Sequence, residues 1–289
     1  MQGTVDGFTY GLVTPVTAFL MACLGAALGL RCTTRSLRTR GAPRAGWLAL
    51  GATSIGSGIW TMHFIAMLGF TVQEAPMSYD RPLTFASLGV AVVMVGVGIF
   101  LVGYRGATRM ALVTGGTVTG LGVASMHYLG MAGMNFDGLF EYDTLTVALS
   151  VLIAVVAATA ALWAAVSIHG FLPSLGASVV MGVAVSGMHY TGMAALQVHL
   201  HPDASPQAGE APTSLLLPMM IGPGCFLVLA AVIVMIDPLV VTGTRPGAGR
   251  LPGHLSRRGG PMTSIPAQRS PVPPYETASR RAYRQPRGR

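Results

Sequence analysis

The sequence predicts an all-α integral membrane protein with seven transmembrane helices: three parallel two-helix repeats plus one extra helix, N-terminus outside and C-terminus cytoplasmic. Three observations predict it. Only 10% of the 289 residues are charged and 52% are hydrophobic, against about 25% charged in a soluble domain, and apolar runs of ~20 residues recur along the chain. A six-residue phrase, Met-His-aromatic-x-small-Met, occurs three times at near-equal intervals. Apart from Arg81, arginine is confined to alternate loops and the C-terminal tail.

The backbone must satisfy itself inside lipid, so the apolar runs read as helices. The alternating ~10-residue segments of a membrane β-barrel are absent. The first span covers residues 11–30. The N-terminus has neither a basic region nor a cleavage pattern, so this run reads as retained. A loop with Arg31, Arg35, Arg38, Arg40 and Arg44 follows, without an acid. The second span, 47–70, holds the first phrase; the next loop carries Glu74, Asp80 and Arg81. The third span, 83–102, ends in a tight turn with Arg105 and Arg109. The fourth, 110–134, holds the second phrase and precedes an acidic loop with Asp137, Glu141 and Asp143. The fifth, 144–168, leads through a turn at His169 to the sixth, 174–197, with the third phrase. A polar loop with His199, His201, Asp203 and Glu210 precedes the seventh span, 215–236.

The excess of positive charge on cytoplasmic loops orients these spans. Spans two, four and six all run outward. Their His residues reach a similar level in the outer hydrocarbon, roughly 23 Å along a helix rising 1.5 Å per residue. Gly56, Gly120 and Gly182 lie seven residues before each His, and Gly51, Gly115 and Ala177 twelve before. Small residues along one helix let backbones approach closely in lipid. The repeated unit is thus a two-helix hairpin, and three of them imply a pseudo-threefold bundle about an axis along the membrane normal. Residues 5–240 form the membrane domain. Residues 241–289 have the composition of a disordered, Arg/Pro-rich cytoplasmic tail.

The formal net charge of +8 is not a nucleic-acid signal. All eighteen basic residues are Arg, and ten lie in the last 45 positions, which reads as topology and adhesion to the anionic inner leaflet. Cys23, Cys32 and Cys225 have no C-x-x-C spacing, so neither a disulfide framework nor a zinc site follows.

The phrases are Met62–Met67, Met126–Met131 and Met188–Met193, with His63, His127 and His189 at intervals of 64 and 62 residues. On a helix, each His and the Met four residues later share a face. An ionisable residue within a span is a functional hypothesis by default, because placing it there costs free energy. Thioether is a soft ligand suited to Cu(I), and imidazole suits copper, zinc, iron and nickel. A His/Met set without thiolate or carboxylate disfavours zinc, magnesium and calcium. Copper is the metal this ligand chemistry selects. Tyr128 and Tyr190 are candidate cofactor-binding residues, as outer donors or redox partners; Phe64 in the first phrase cannot serve so. Met219 and Met220 lie near the same level. A lone His in a span usually bonds a neighbouring helix and a lone Met usually packs; duplication of one hairpin would also explain the recurrence. His169, His199, His201 and His254 read as loop or tail residues, His199 and His201 with a weak role in metal capture. Asp237 before Pro238 reads as a helix stop.

The phrases at 62–67, 126–131 and 188–193, with the seven-span layout over about residues 5–240, resemble the MHYT family of bacterial integral membrane sensor domains. The resemblance implies a sensor in the cytoplasmic membrane. It implies that Met62, His63, Met67, Met126, His127, Met131, Met188, His189 and Met193 hold copper near the outer face and sense oxygen, carbon monoxide or nitric oxide. Phe64 departs from the family Tyr. Family members are often fused to cytoplasmic diguanylate cyclase, phosphodiesterase or histidine kinase domains. Nothing after Asp237 is long or apolar enough to fold as one, so the expectation is a non-enzymatic module that passes its signal to a separate cytoplasmic partner. The alternatives are a copper-handling transporter or channel, and haem bound between His residues. No nucleophile–base pair or phosphate-cradling loop supports an enzyme.

Overall fold

The computed structural model describes residues 5–7, 9–72, 77–200 and 212–237. The predicted tail, His201 and His254 lie outside the described residues. Within them the chain forms seven helices and six short strands: β1 (Val5–Asp6), α1 (Val13–Leu37), α2 (Ala42–Leu68), β2 (Thr71–Val72), β3 (Ser78–Tyr79), α3 (Arg81–Arg105), α4 (Arg109–Ala132), β4 (Met134–Asn135), β5 (Gly138–Tyr142), α5 (Thr144–Ser167), α6 (Phe171–Ala194), β6 (Leu196–Leu200) and α7 (Pro212–Ile236).

Three hairpins are evident. Each turns through a glycine with positive φ: Gly41 (75°) between α1 and α2, Gly106 (73°) between α3 and α4, and Gly170 (100°) between α5 and α6. A residue with a Cβ is strained in that region. The six helices close a ring, each packing on the next and α6 returning to α1. The glycines seven residues before each His make the inter-hairpin seams. A Cβ on Gly56 would lie 2.9 Å from Val92 Cα of α3, and one on Gly120 2.4 Å from Val155 Cα of α5. One on Gly182 would lie 2.4 Å from Cys23 Sγ of α1. Helix α7 packs outside the ring on α2 and α1.

Antiparallel ladders tie the helix ends on the side away from these turns: β1 with β2, β3 with β4, and β5 with β6. The sequence predicts no strand here, and its fourth and sixth spans take in Met134 of β4 and Leu196 and Gln197 of β6. Asp80 and Asp143, two of the loop acids, cap helices. Asp80 accepts from Leu83 N at 2.7 Å at the start of α3, and Asp143 from Thr146 N at 2.8 Å at the start of α5. Each satisfies an amide that the first turn leaves without a helical partner.

One expectation needs revision, and another is met in part. Helix α1 continues to Leu37, seven residues past the predicted end, so Arg31 and Arg35 are helical. Their heads are held: Arg31 lies over the Phe171 ring at 4.9 Å, and Arg35 over Trp47 at 5.5 Å with Asp237 at 2.8 Å. Long stems with paired charges keep the helix going. Asp237 is therefore an ion-pair partner as well as the residue that follows α7. Secondly, α1, α3, α5, α6 and α7 are long and apolar enough to cross a membrane, whereas α2 and α4 fall below that hydropathy. These two carry much of the ring's buried Gly, Ser, Thr and His, which lowers their hydropathy.

A candidate metal centre

Each His lies five residues before the last residue of its helix: His63 on α2, His127 on α4 and His189 on α6. The ring brings all three together. Each is 1% exposed. Their Nδ1 atoms form a near-equilateral triangle, with His63–His189 at 3.1 Å, His63–His127 at 3.2 Å and His127–His189 at 3.3 Å.

A ring nitrogen of neutral imidazole carries either a proton or one lone pair, never both. Three mutually facing Nδ1 atoms therefore cannot satisfy all three contacts by hydrogen bonding alone. A cation at the centre satisfies all of them at once. The triangle's centre lies about 1.8 Å from each nitrogen, and a small displacement along the axis gives the roughly 2.0 Å of imidazole–metal bonds. The cluster can thus hold a metal ion.

Ring orientation is set by neighbours on the same helix. Phe64, Tyr128 and Tyr190 stand edge-on to His63, His127 and His189, with centroids 4.6, 4.8 and 4.9 Å apart. Phe64 therefore fills the same place as the two tyrosines. The Tyr128 hydroxyl lies 2.6 Å from Ser150 Oγ of α5. On the far edges, Nε2 of His63 and of His127 are buried without a hydrogen-bond partner. They rest on small residues of the next phrase: a Cβ on Gly130 would come within 2.6 Å of His63 Nε2, and one on Gly192 within 2.5 Å of His127 Nε2. The sequence reading noted a small residue at this place in the phrase but gave it no role. The third such residue, Ala66, lines a cavity of about 340 Å³ with His189, Met67, Tyr190 and Met193.

Met62, Met67, Met126, Met131 and Met188 are buried and Met193 is half-buried, all within or against the main core with Met219 and Met220. The other described His residues are elsewhere. His169 donates from Nδ1 to the Ser167 carbonyl at 3.0 Å, and His199 on β6 pairs with Glu141 of β5 at 2.9 Å.

The model of the MHYT family, the bacterial signalling protein N-terminal repeat, matches residues 56–115 and 120–178. Each match begins seven residues before a His of the triangle. The chain is 40% identical over 197 residues to the bifunctional diguanylate cyclase/cyclic di-GMP phosphodiesterase MucR of Pseudomonas aeruginosa, covering 66% of this chain and 29% of MucR. It is 36% identical over 206 residues to the cyclic di-GMP phosphodiesterase NbdA of the same organism, covering 68% and 26%. It is 32% identical over 206 residues to the signaling protein YkoW of Bacillus subtilis, covering 68% and 25%. The chain thus spans about a quarter of the length of these relatives. No solved structure matches. Repeats in the family's phase, helices apolar enough to span a bilayer and the likeness to these signalling proteins identify the chain as a multi-pass membrane protein of the MHYT-domain family.

Proposed function

We propose that this domain is a non-enzymatic sensor of the cell membrane that binds copper at His63, His127 and His189 and responds to a diatomic gas or to metal and redox status. The observation that carries this reading is the buried triangle of Nδ1 atoms. It carries no carboxylate or thiolate, and Met67 and Met193 line a cavity beside His189, a donor set that favours Cu(I). Bound there, copper would supply an open, soft Lewis-acidic position for a small ligand. The protein's own residues align the imidazoles, exclude water and keep the site apolar. All seven helices span the bilayer in this reading, with the phrases near the outer face and the Arg-bearing turns in the cytoplasm.

Two alternatives fit less well. Three imidazole nitrogens within 3.3 Å of one another leave no room for a porphyrin between them. Transport needs a continuous line of polar or thioether groups, whereas the cavity below the triangle is mainly aliphatic, with Thr119, Met181 and Met188 among Ile59, Val123, Val185 and a run of alanines. Because MucR and NbdA are named for cyclic di-GMP turnover, we infer that the signal is addressed to a cytoplasmic partner with that output.

Metal analysis of the purified, copper-loaded protein tests the reading. The expected result is copper in the wild type and its loss in the triple variant His63→Ala, His127→Ala, His189→Ala. Equal near-zero copper in both would overturn it.

A further inference from the structure

We propose that the seam between α5 and α6 is a lateral portal through which a small apolar gas passes from the bilayer core into a chamber beneath the His triangle. The inference rests on the sensor reading for its purpose but not for its structural content.

Two cavities carry it. The inner one, about 50 Å³, is lined by Ile59, Val123 and Val185, each four residues before a His, with Met181 and Met188 among its other walls. One helical turn, about 6 Å of rise, separates this layer from the imidazoles. The outer one, about 320 Å³, is a groove between α5 and α6 with Trp163 and Val180 on its walls. Both of these side chains are exposed on the ring's outer surface. The two cavities share four residues: Ala157, Ala161, Met181 and Ala184. Alanine methyls and one flexible thioether thus form the partition between the outer surface and the chamber.

The repeat explains why this seam is open. Five residues before each His stand Gly58, Gly122 and Ala184, and twelve before stand Gly51, Gly115 and Ala177. In the first two hairpins these glycines meet the partner helix. A Cβ on Gly58 would lie 2.7 Å from Gly25 Cα, and one on Gly122 2.1 Å from Met94 Cβ. One on Gly51 would lie 3.3 Å from the Gly29 carbonyl, and one on Gly115 3.4 Å from that of Gly98. The third hairpin carries a methyl at both positions, so its helices cannot close in the same way. Ala177 and Ala184 both line the groove.

Size and lining select the occupant. The chamber holds a molecule of a few atoms, since a space of about 10–15 Å³ on the same measure already admits one water. Its lining is almost wholly apolar, so water gains too few hydrogen bonds to stay, while apolar gases occupy such spaces. The bilayer interior is their natural reservoir.

The experiment uses the full chain in lipid nanodiscs with xenon and carbon monoxide as probes. In the metal-free protein, xenon exchange by ¹²⁹Xe NMR is expected for the wild type and lost in Ala184→Leu and Ala161→Phe. In Cu(I)-loaded protein, the same fillings are expected to slow carbon monoxide association by about tenfold or more with copper content unchanged. Ala177→Gly/Ala184→Gly, which restores the pattern of the other hairpins, is expected to slow it too. Xenon binding that survives both fillings overturns the portal. So does a carbon monoxide rate that falls only when Ala66→Phe fills the cavity beside His189. Failure to load copper removes the sensor reading and leaves the xenon result decisive for the portal.

Discussion

Replacing Gly192 by alanine isolates the packing that fixes the His triangle. The new methyl would stand 2.5 Å from His127 Nε2 and 3.1 Å from Cδ2. Ordinary contact begins at 3.4 Å, so the ring or the helix must yield by about 0.9 Å. Metal–ligand distances in a working site hold to about ±0.2 Å. The nitrogens are already only 3.1–3.3 Å apart, so an inward shift crowds the other two imidazoles and a sideways one turns the lone pair off the centre. Loss of an orienting contact of this kind typically weakens metal binding by about 10–100-fold, or roughly 1.4–2.7 kcal/mol. Competition titration of Cu(I) against a chelator of known affinity, in detergent, reads this directly, with a thermal melt to confirm folding. Gly130→Ala should behave alike through His63. Affinity within twofold of the wild type in a folded Gly192→Ala protein would refute the argument.

Other substitutions separate ring packing from hydroxyl chemistry. Tyr128→Phe should leave copper affinity unchanged, because its hydroxyl meets Ser150, and lower stability by about 1 kcal/mol; a drop in affinity would assign the hydroxyl to the site. Phe64→Tyr should destabilise by about 1–3 kcal/mol, since the ring is wholly buried against Trp60 at 4.7 Å and a hydroxyl there needs both space and a partner; an unchanged melting temperature would contradict this. Arg35→Gln should cost about 1–3 kcal/mol by breaking the Asp237 pair, whose side chains are 18% and 13% exposed, and Asp237→Asn should add little to it in a double-mutant cycle. Burial, then the neighbouring Tyr128, pushes the Tyr142 hydroxyl up from 10.0 to about 12. The folded state thus favours the neutral phenol, and stability falls as pH rises from 10 toward 12. Tyr142→Phe should move the onset of alkaline unfolding upward by circular dichroism; no shift would show that other groups set it.

The hairpin repeat and the convergence of the three His residues were legible because they depend on helical spacing, which the chain writes directly as offsets of seven, twelve, 62 and 64 residues. The ladders were not. Gly138–Tyr142 pairs with Leu196–Leu200, nearly sixty residues away, and five residues are too few to declare a strand against the adjoining apolar runs. The Arg35–Asp237 pair joins residues 202 positions apart and leaves no local pattern. Which ring nitrogen faces the centre depends on the side-chain torsions of three helices, so the triangle of Nδ1 atoms could only be seen in three dimensions. The family matches fall in the phase of the glycines seven before each His, which the spacing had already marked as equivalent.

Closure of the ring by α6 against α1 has a consequence for biogenesis. Domains assemble as the chain emerges, N-terminal parts first. When α1 to α4 have been made, only His63 and His127 are in place, and the seam at Gly182 against Cys23 joins residues about 160 positions apart. The third corner arrives with the last hairpin. A nascent chain therefore presents two of the three imidazoles, and the three-nitrogen arrangement that the proposed copper site uses forms only once α6 is in place. Metal supplied during synthesis and metal supplied afterwards should give the same final content.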